Sequence, residues 1–334
     1  MADLDLDALR RWLVAHVDGL PDGPVAVEEL SGGRSNVTLA VTVGDREVVV
    51  RMPPPTAFLP TANDVGREHR FYTAMEGTAV PTPRVLGWCP DPDVVGAPFY
   101  VMERLHGIVP HDAAALEGLD AAGGRALSAH LVDVLVDLHA VDPAAVGLAD
   151  AGRPDGYLER QVARWTDQWH RAKQRDDPTL DELARVLGPA IPPSPPGTVV
   201  HGDYRLGNVM VDAPTRTRIV GVLDWEMATL GDPLADVGYT LLYWGTRDRP
   251  PIHPSQACAD RPGFLTEDEL VERYAARSGR TVDHVTFYVV LAAFKLTVIG
   301  AGNLARARRA GLPDSDQPPS FPLAEWALDR WHRR

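Results

Sequence analysis

Three oxygen-bearing side chains fall close together late in the sequence. Asp203 and Asn208 stand five residues apart in His201-Gly202-Asp203-Tyr204-Arg205-Leu206-Gly207-Asn208, and Asp224 follows sixteen residues later, at the end of the apolar run 219–223. Phosphoryl transfer asks for such a set. An acceptor oxygen must be held in line with a γ-phosphate, a group must take the hydroxyl proton, and cations must neutralise the phosphate oxygens. Asp203 fits the base that orients the hydroxyl. The Asn208 amide oxygen and the Asp224 carboxylate fit as ligands for magnesium, a hard cation that takes oxygen donors.

The rest of the chain must supply elements to hold these groups. Leu6, Leu9, Leu13 and Val17 recur at helical spacing and predict a first helix. Strands are expected at 25–30, 37–43 and 47–52, with a tight turn at Gly44-Asp45 between the last two. Pro53-Pro54-Pro55 ends the third strand, because proline lacks a ladder donor. A helix over 63–76 places Val65, Glu68, Tyr72 and Met75 on one face, which turns the Glu68 carboxylate inward. Strands at 84–88 and 99–102 follow.

Beyond Gly107 the pattern becomes helical, with helices near 120–140, 154–175, 180–187, 233–244, 266–278, 283–309 and 322–332. Short strands at 199–200, 209–211 and 218–223 interrupt them around the Asp203 loop. The proline-rich stretch 188–197 and the segment 247–262 read as loops. An α+β chain is implied, with a small β-rich N-lobe and a larger helical C-lobe.

The loop His201 to Asn208 resembles the H-G-D-x-x-x-x-N loop of aminoglycoside phosphotransferases and their relatives more closely than the H-R-D-x-x-x-x-N loop of protein kinases. Leu223-Asp224-Trp225-Glu226 is similar to that family's magnesium-binding segment, and Gly231-Asp232-Pro233 with Asp236 to its G-D-P-x-x-D stretch. All three blocks fall in family order within 36 residues. The resemblance implies a protein-kinase-like, two-lobed fold: a nucleotide-binding lobe over 1–102, a hinge over 103–107, and a catalytic and acceptor-binding lobe over 108–334.

It also implies ATP and magnesium as partners of the reaction. ATP phosphates would meet the turn Ser31-Gly32-Gly33-Arg34-Ser35-Asn36, and adenine the hinge near Glu103 and Leu105. Arg51 stands where the family usually has a phosphate-binding lysine, with Glu68 as its partner on the following helix. Arginine keeps the charge but presents a larger, planar fork. The run Val49-Val50-Arg51-Met52-Pro53-Pro54 is similar to the kinase-like domains fused to, or grouped with, acyl-CoA dehydrogenases.

Each residue also has a structural reading. His201 suits loop orientation by hydrogen bonding, and His139 suits packing or loop bonding. Asp232 suits a helix N-cap, with Pro233 at the first helical position and Asp236 in the first turn. Ser31-Gly32-Gly33 suits a hairpin turn, and Arg51 with Glu68 an exposed ion pair. Tyr157, Trp165 and Trp169, spaced by multiples of four, suit an aromatic core face flanked by Arg160, Arg164, Arg171 and Arg175. The same stripe also suits an acceptor platform. Two rival functions use some of these residues. A metal-dependent hydrolase would use His201, Asp203, Asp224 and Asp232, and a nucleotide-binding pseudokinase would explain Arg51.

Composition narrows the partners. Hydrophobic residues make up 45% and the formal charge is -13, which disfavours nucleic acid as a partner. Two cysteines, Cys89 and Cys258, exclude a disulfide framework. The first residues lack the basic start and unbroken apolar stretch of a signal peptide, and no run of about 18 uninterrupted apolar residues follows. A cytoplasmic protein with no membrane partner is expected. The acceptor is expected to be a small-molecule hydroxyl compound. From Asp150 to Arg185 eight acidic residues face seven basic ones, so this segment lacks the carboxylate surplus that a polycationic aminoglycoside requires. An anionic acceptor such as a hydroxyacyl thioester of coenzyme A fits it better, with an antibiotic acceptor as the alternative.

Overall fold

The structure, a computed structural model, describes residues 4–30, 36–54, 64–173, 176–309 and 321–334. Asp5 opens helix α1 (Leu6–His16) by accepting the N–H of Ala8 at 2.9 Å. The helix buries Leu9 and Leu13 in a core with Val41, Val50 and Val101, each contributing about 1.5–3 kcal/mol by leaving water. Strands β1 (Val25–Glu29), β2 (Val37–Val43) and β3 (Arg46–Met52) form the expected meander, and Gly44 takes φ +62° in the turn between the last two.

After α2 (Val65–Met75) come β4 (Val85–Cys89) and β5 (Phe99–Glu103). The sheet is antiparallel with order β1-β2-β3-β5-β4. Val48, Val50 and Met52 of β3 enter the α1 core, so the pleat turns Arg51 to the opposite face. Thr38 and Tyr100 pair with Arg51 across the neighbouring strands. Helix α2 buries Val65, Glu68, Phe71, Tyr72 and Met75, the stripe expected of it.

The helical part contains α3 (Ala121–His139), α4 (Tyr157–Ala172), α5 (Pro178–Leu187), β6 (Thr198–Val200), β7 (Val209–Val211), β8 (Ile219–Val222), β9 (Thr229–Gly231), α6 (Leu234–Leu242), α7 (Glu267–Ser278), α8 (Val285–Arg309) and α9 (Phe321–His332). Strands β6 and β9 pair antiparallel on either side of the Asp203 loop in sequence. Helix α4 starts later than expected, behind Gly156 at φ +64°. Helix α6 starts with Pro233 as its N-cap, so Asp232 falls one position before the cap; its carboxylate still accepts the N–H of Leu234 at 2.9 Å.

By length and composition α8 is apolar enough to cross a membrane, with a mean hydropathy of 1.8, yet 61% of that stretch is buried within the protein. It is packed as a core helix. It lies tight against α6, where a Cβ on Gly238 would lie 2.5 Å from the Tyr288 backbone.

Two compact units divide the chain: residues 1–107 with 220–228, and residues 108–219 with 229–334. The return of 220–228 to the first unit is not visible in the linear order of elements. It follows from packing: Trp225 is fully buried against Phe71 and Tyr72 of α2. Backbone bonds fasten the same segment, from Val222 N–H to Pro81 at 2.7 Å and from Arg67 to the Ala228 carbonyl at 2.8 Å.

Candidate active site

In the helical unit, β6 delivers the chain into the loop that carries Asp203. Gly202 takes φ +81°, a conformation that glycine adopts without a Cβ clash. Asp236, in the first turn of α6, accepts the backbone N–H groups of His201 and Gly202 at 2.6 and 2.7 Å. Its carboxylate also meets His139 Nε2 at 3.3 Å, while His139 Nδ1 lies 2.8 Å from the Tyr274 hydroxyl. Burial holds the His139 pKa down, so the neutral ring donates to Asp236. Burial works against charge on Asp236 too, but His139 and the loop amides outweigh it and hold the carboxylate below its usual range.

The remaining loop contacts fix its depth. Asp203 N–H donates to His201 Nδ1 at 3.3 Å, the Tyr204 hydroxyl donates to the Leu131 carbonyl at 2.9 Å, and the Thr240 hydroxyl donates to the Tyr204 carbonyl at 2.9 Å.

Asp203 keeps a side-chain exposure of 21%, enough for a ligand to reach it. Its Oδ1 accepts Arg205 Nε at 3.2 Å, and its Oδ2 accepts Asn208 Nδ2 at 2.7 Å. The same Asn208 nitrogen donates to the Asp203 carbonyl at 2.8 Å. With its nitrogen committed to Asp203, the Asn208 amide turns its oxygen away from the carboxylate, where it can meet a cation. Arg205 lies over the Tyr243 ring at 5.0 Å and reaches His253 Nδ1 at 3.4 Å. The motif alone does not announce this task for Arg205, although its place two residues after Asp203 signals it.

In the sheet unit, Arg51 is the hub. Its Nε donates to Glu68 at 2.9 Å, one terminal nitrogen to Thr38 Oγ1 at 3.0 Å, and the other to Asp224 Oδ1 at 2.7 Å. Burial works against the guanidinium charge, but Glu68, Tyr100 and Asp224 outweigh it and hold the pKa above its usual value. Burial raises the pKa of Glu68, with Arg51 and the Asn36 amide, 3.3 Å away, pulling against it. The alternative of an exposed ion pair does not hold: Arg51 and Glu68 are both buried, because the pleat and the α2 stripe face each other, and Glu68 points inward as its helix spacing predicts.

Asp224 sits at φ 67° and ψ 64°, left-handed backbone that is uncommon for a residue with a side chain, and its N–H donates to the Tyr72 hydroxyl at 3.2 Å. Local strain of this kind concentrates at functional positions. Oδ2 of Asp224 takes no side-chain partner among the described residues. A carboxylate oxygen of this kind is a hard donor, which is the chemistry magnesium takes.

Gly32, Gly33, Arg34 and Ser35 lie outside the described residues. Glu103 ends β5, with its N–H donating to the Arg84 carbonyl at 2.9 Å, and Leu105 follows two residues on. Asp232 accepts the Tyr288 hydroxyl at 2.8 Å and His201 Nδ1 accepts the Asp203 N–H, and among the described residues no group of three or more His, Cys, Asp or Glu is placed to hold a metal as a hydrolase ligand set requires. On α4, Trp165 and Trp169 are buried and Trp169 donates to Asp181 at 2.8 Å, the core face of the structural reading. Arg160 caps carbonyls of its own segment, at Arg153 and Asp155. Sequence reading missed Lys295, whose only signal was a single charge in the apolar run 287–298.

The chain is similar to known proteins. The mouse acyl-CoA dehydrogenase family member 10 is 33% identical over 304 residues, covering 90% of this chain and 28% of that protein. The chicken acyl-CoA dehydrogenase family member 11 is 32% identical, covering 90% of this chain and 40% of that protein. The chain therefore spans less than half the length of these relatives. A Ralstonia eutropha protein provisionally assigned as an aminoglycoside phosphotransferase has a solved structure that superposes with a TM-score of 0.86 at 32% identity, covering 99% of each chain. The fold class is thus the α+β, protein-kinase-like one. A model of the phosphotransferase enzyme family matches residues 26–281, and the chain belongs to that family.

Proposed function

We propose that this chain transfers the γ-phosphate of ATP to a hydroxyl of a small molecule bearing an anionic handle, such as a hydroxyacyl thioester of coenzyme A. The observation that carries the reading is the Asp203–Asn208 pair, which aims a reachable carboxylate and leaves an amide oxygen for a cation. Asp203 orients the acceptor hydroxyl and takes its proton. The hydroxyl oxygen forms its bond to the γ-phosphorus as the bond from that phosphorus to the bridging oxygen breaks, and ADP leaves with the electron pair.

In this reading Asn208 and Asp224 would each offer an oxygen donor to magnesium, which would neutralise phosphate charge. Arg205 holds Asp203 in register, and Asp236 keeps the loop amides from needing water. The anionic handle draws support from the near balance of charge over 150–185 and from the kinship with acyl-CoA dehydrogenase family members 10 and 11. An aminoglycoside acceptor is the second reading, favoured by the provisional assignment of the Ralstonia protein.

The test is phosphorylation of a hydroxyl-compound library with ATP or GTP, read by mass shift, for the wild-type chain and Asp203→Asn. The variant is expected to bind nucleotide normally and to lose about 10²–10⁴-fold in turnover. Wild-type turnover in Asp203→Asn would remove the assignment of the base.

A further inference from the structure

Helix α8 presents an apolar core face, and Lys295 interrupts it between buried Phe294 and buried Thr297. Among the described residues its ammonium forms no salt bridge. The hydrogen bond it does make is long, 3.4 Å to the Gly202 carbonyl. The Tyr239 and Trp165 rings lie 5.0 and 5.8 Å from the nitrogen. The side chain is only partly buried, so its ammonium, most of whose donors the protein leaves unmet, is within reach of a ligand, and packing alone does not call for a cation on a core helix. Burial lowers the Lys295 pKa, Asp203 and Asp236 raise it, and Arg164 adds to the lowering.

Lys295 also borders a cavity of about 40 Å³, shared with Tyr157, Gln161, Trp165, Gly202 and Tyr239. That is room for an oxygen-sized group, far less than a sugar ring needs. The carbonyl that Lys295 touches belongs to the peptide joining Gly202 to Asp203, so the ammonium and the base stand on one peptide unit. A ligand hydroxyl at Asp203 would hold the next few atoms of that ligand near Lys295.

We propose that Lys295 is a specificity-determining residue of the acceptor site: its ammonium receives an anionic or carbonyl oxygen of the acceptor whose hydroxyl meets Asp203. This rests on the phosphotransfer reading above. The aromatic walls exclude water and strengthen the attraction. Arg164, exposed beside Trp165 with its guanidinium 5.2 Å from that ring, extends the positive field outward. The same field repels a cationic acceptor, so Lys295 acts by exclusion as well as by attraction.

The test uses the full chain, Lys295→Met, and Lys295→Gln in case the first variant folds poorly. Acceptors are butyrates with the hydroxyl on carbon 2, 3 or 4, their coenzyme A thioesters, the matching butanediols, and kanamycin. Nucleotide affinity and the pH profile of kcat are measured alongside. The expected wild type prefers the carboxylates or thioesters to the diols and kanamycin. Both variants raise the acceptor KM by about 10–100-fold, the worth of a hydrogen bond to a charged group, and narrow the gap to the diols. Nucleotide affinity stays within twofold. An unchanged acceptor KM, a wild-type preference for diols or kanamycin, or a shift confined to the kcat pH profile would overturn the role of Lys295. A wild type that transfers phosphate to no acceptor at all would overturn the phosphotransfer reading itself.

Discussion

The Asn208 amide nitrogen reaches both the carbonyl and the carboxylate of Asp203, at 2.8 and 2.7 Å. One side chain thereby closes the loop and aims the base. Asn208→Asp would keep an oxygen for a cation while replacing that donor with a second carboxylate. Like charges at this distance favour the protonated form of one of them. Turnover is expected to fall by about 10²–10⁴-fold, with the rising limb of the pH–rate profile moved to higher pH. A calorimetric magnesium titration in the presence of nucleotide is expected to stay within tenfold of wild type. A profile that does not move would remove Asn208 from control of Asp203.

Arg51 joins Glu68, Thr38 and Asp224 through three nitrogens, a geometry a lysine ammonium lacks. Arg51→Ala leaves Glu68, wholly buried, without its cation, and is expected to destabilise the fold by about 3–5 kcal/mol. Arg51→Lys keeps a charge near Glu68 and should cost less, but it frees Asp224. Urea unfolding of both variants checks the order. Equal stability of Arg51→Ala and wild type would mean that Glu68 is neutral in the fold.

Asp224→Ala is expected to remove the magnesium dependence of nucleotide binding, because the phosphates lose the carboxylate-held cation. Calorimetry of ATP with and without magnesium reads this directly. Persistence of the wild-type dependence would place the metal elsewhere.

Much of this arrangement was legible in the sequence because it is local. The Asp203–Asn208 loop, the meander and the α2 stripe are written in short-range spacing, and their bounds moved by only a few residues in the structure. What was hidden depends on pairing between distant segments. Residues 220–228 join the sheet unit because Trp225 finds Phe71 and Tyr72, some 150 positions earlier, and no periodicity announces that. Helix spacing turns Glu68 inward, but whether its pair with Arg51 is exposed or buried is decided only when the sheet pleat and the helix stripe are set face to face. Lys295 carries no motif, since only the fold brings it to the peptide before Asp203.

Gly238 and Tyr288 set how closely α6 approaches α8. A methyl group at 238 would meet backbone atoms, which cannot rotate away. Gly238→Ala is expected to cost about 1–3 kcal/mol by overpacking and to displace Asp236 and Lys295 with their helices, lowering both the melting temperature and turnover. A variant as stable as the wild type would show that the two helices can part without strain.

The His139–Asp236 pair predicts an acid-sensitive fold. Buried His139 has its pKa held below the ordinary histidine value of 6.5. As the pH falls through 6.5, the unfolded chain takes up a proton at this position while the folded chain does not. Stability rises with pH wherever the unfolded state binds more protons, so it must fall on acidification through this range, by at most about 1.4 kcal/mol per pH unit for one proton. Half-buried His69 and His130 are shifted the same way and add to the slope. Asp236, held below 3.8, contributes stability that is present above that value and is lost as the pH drops through its lower folded pKa. Melting temperatures between pH 8 and 4 should therefore decline from about 6.5 downward, with a further fall in the carboxylate range. His139→Gln can still donate to Asp236 but does not titrate, so it should start lower at pH 8 and show a shallower decline between pH 6.5 and 5. A slope identical to wild type in that window would mean that His139 is protonated in the folded protein, and that Asp236 holds an imidazolium there instead of a neutral ring.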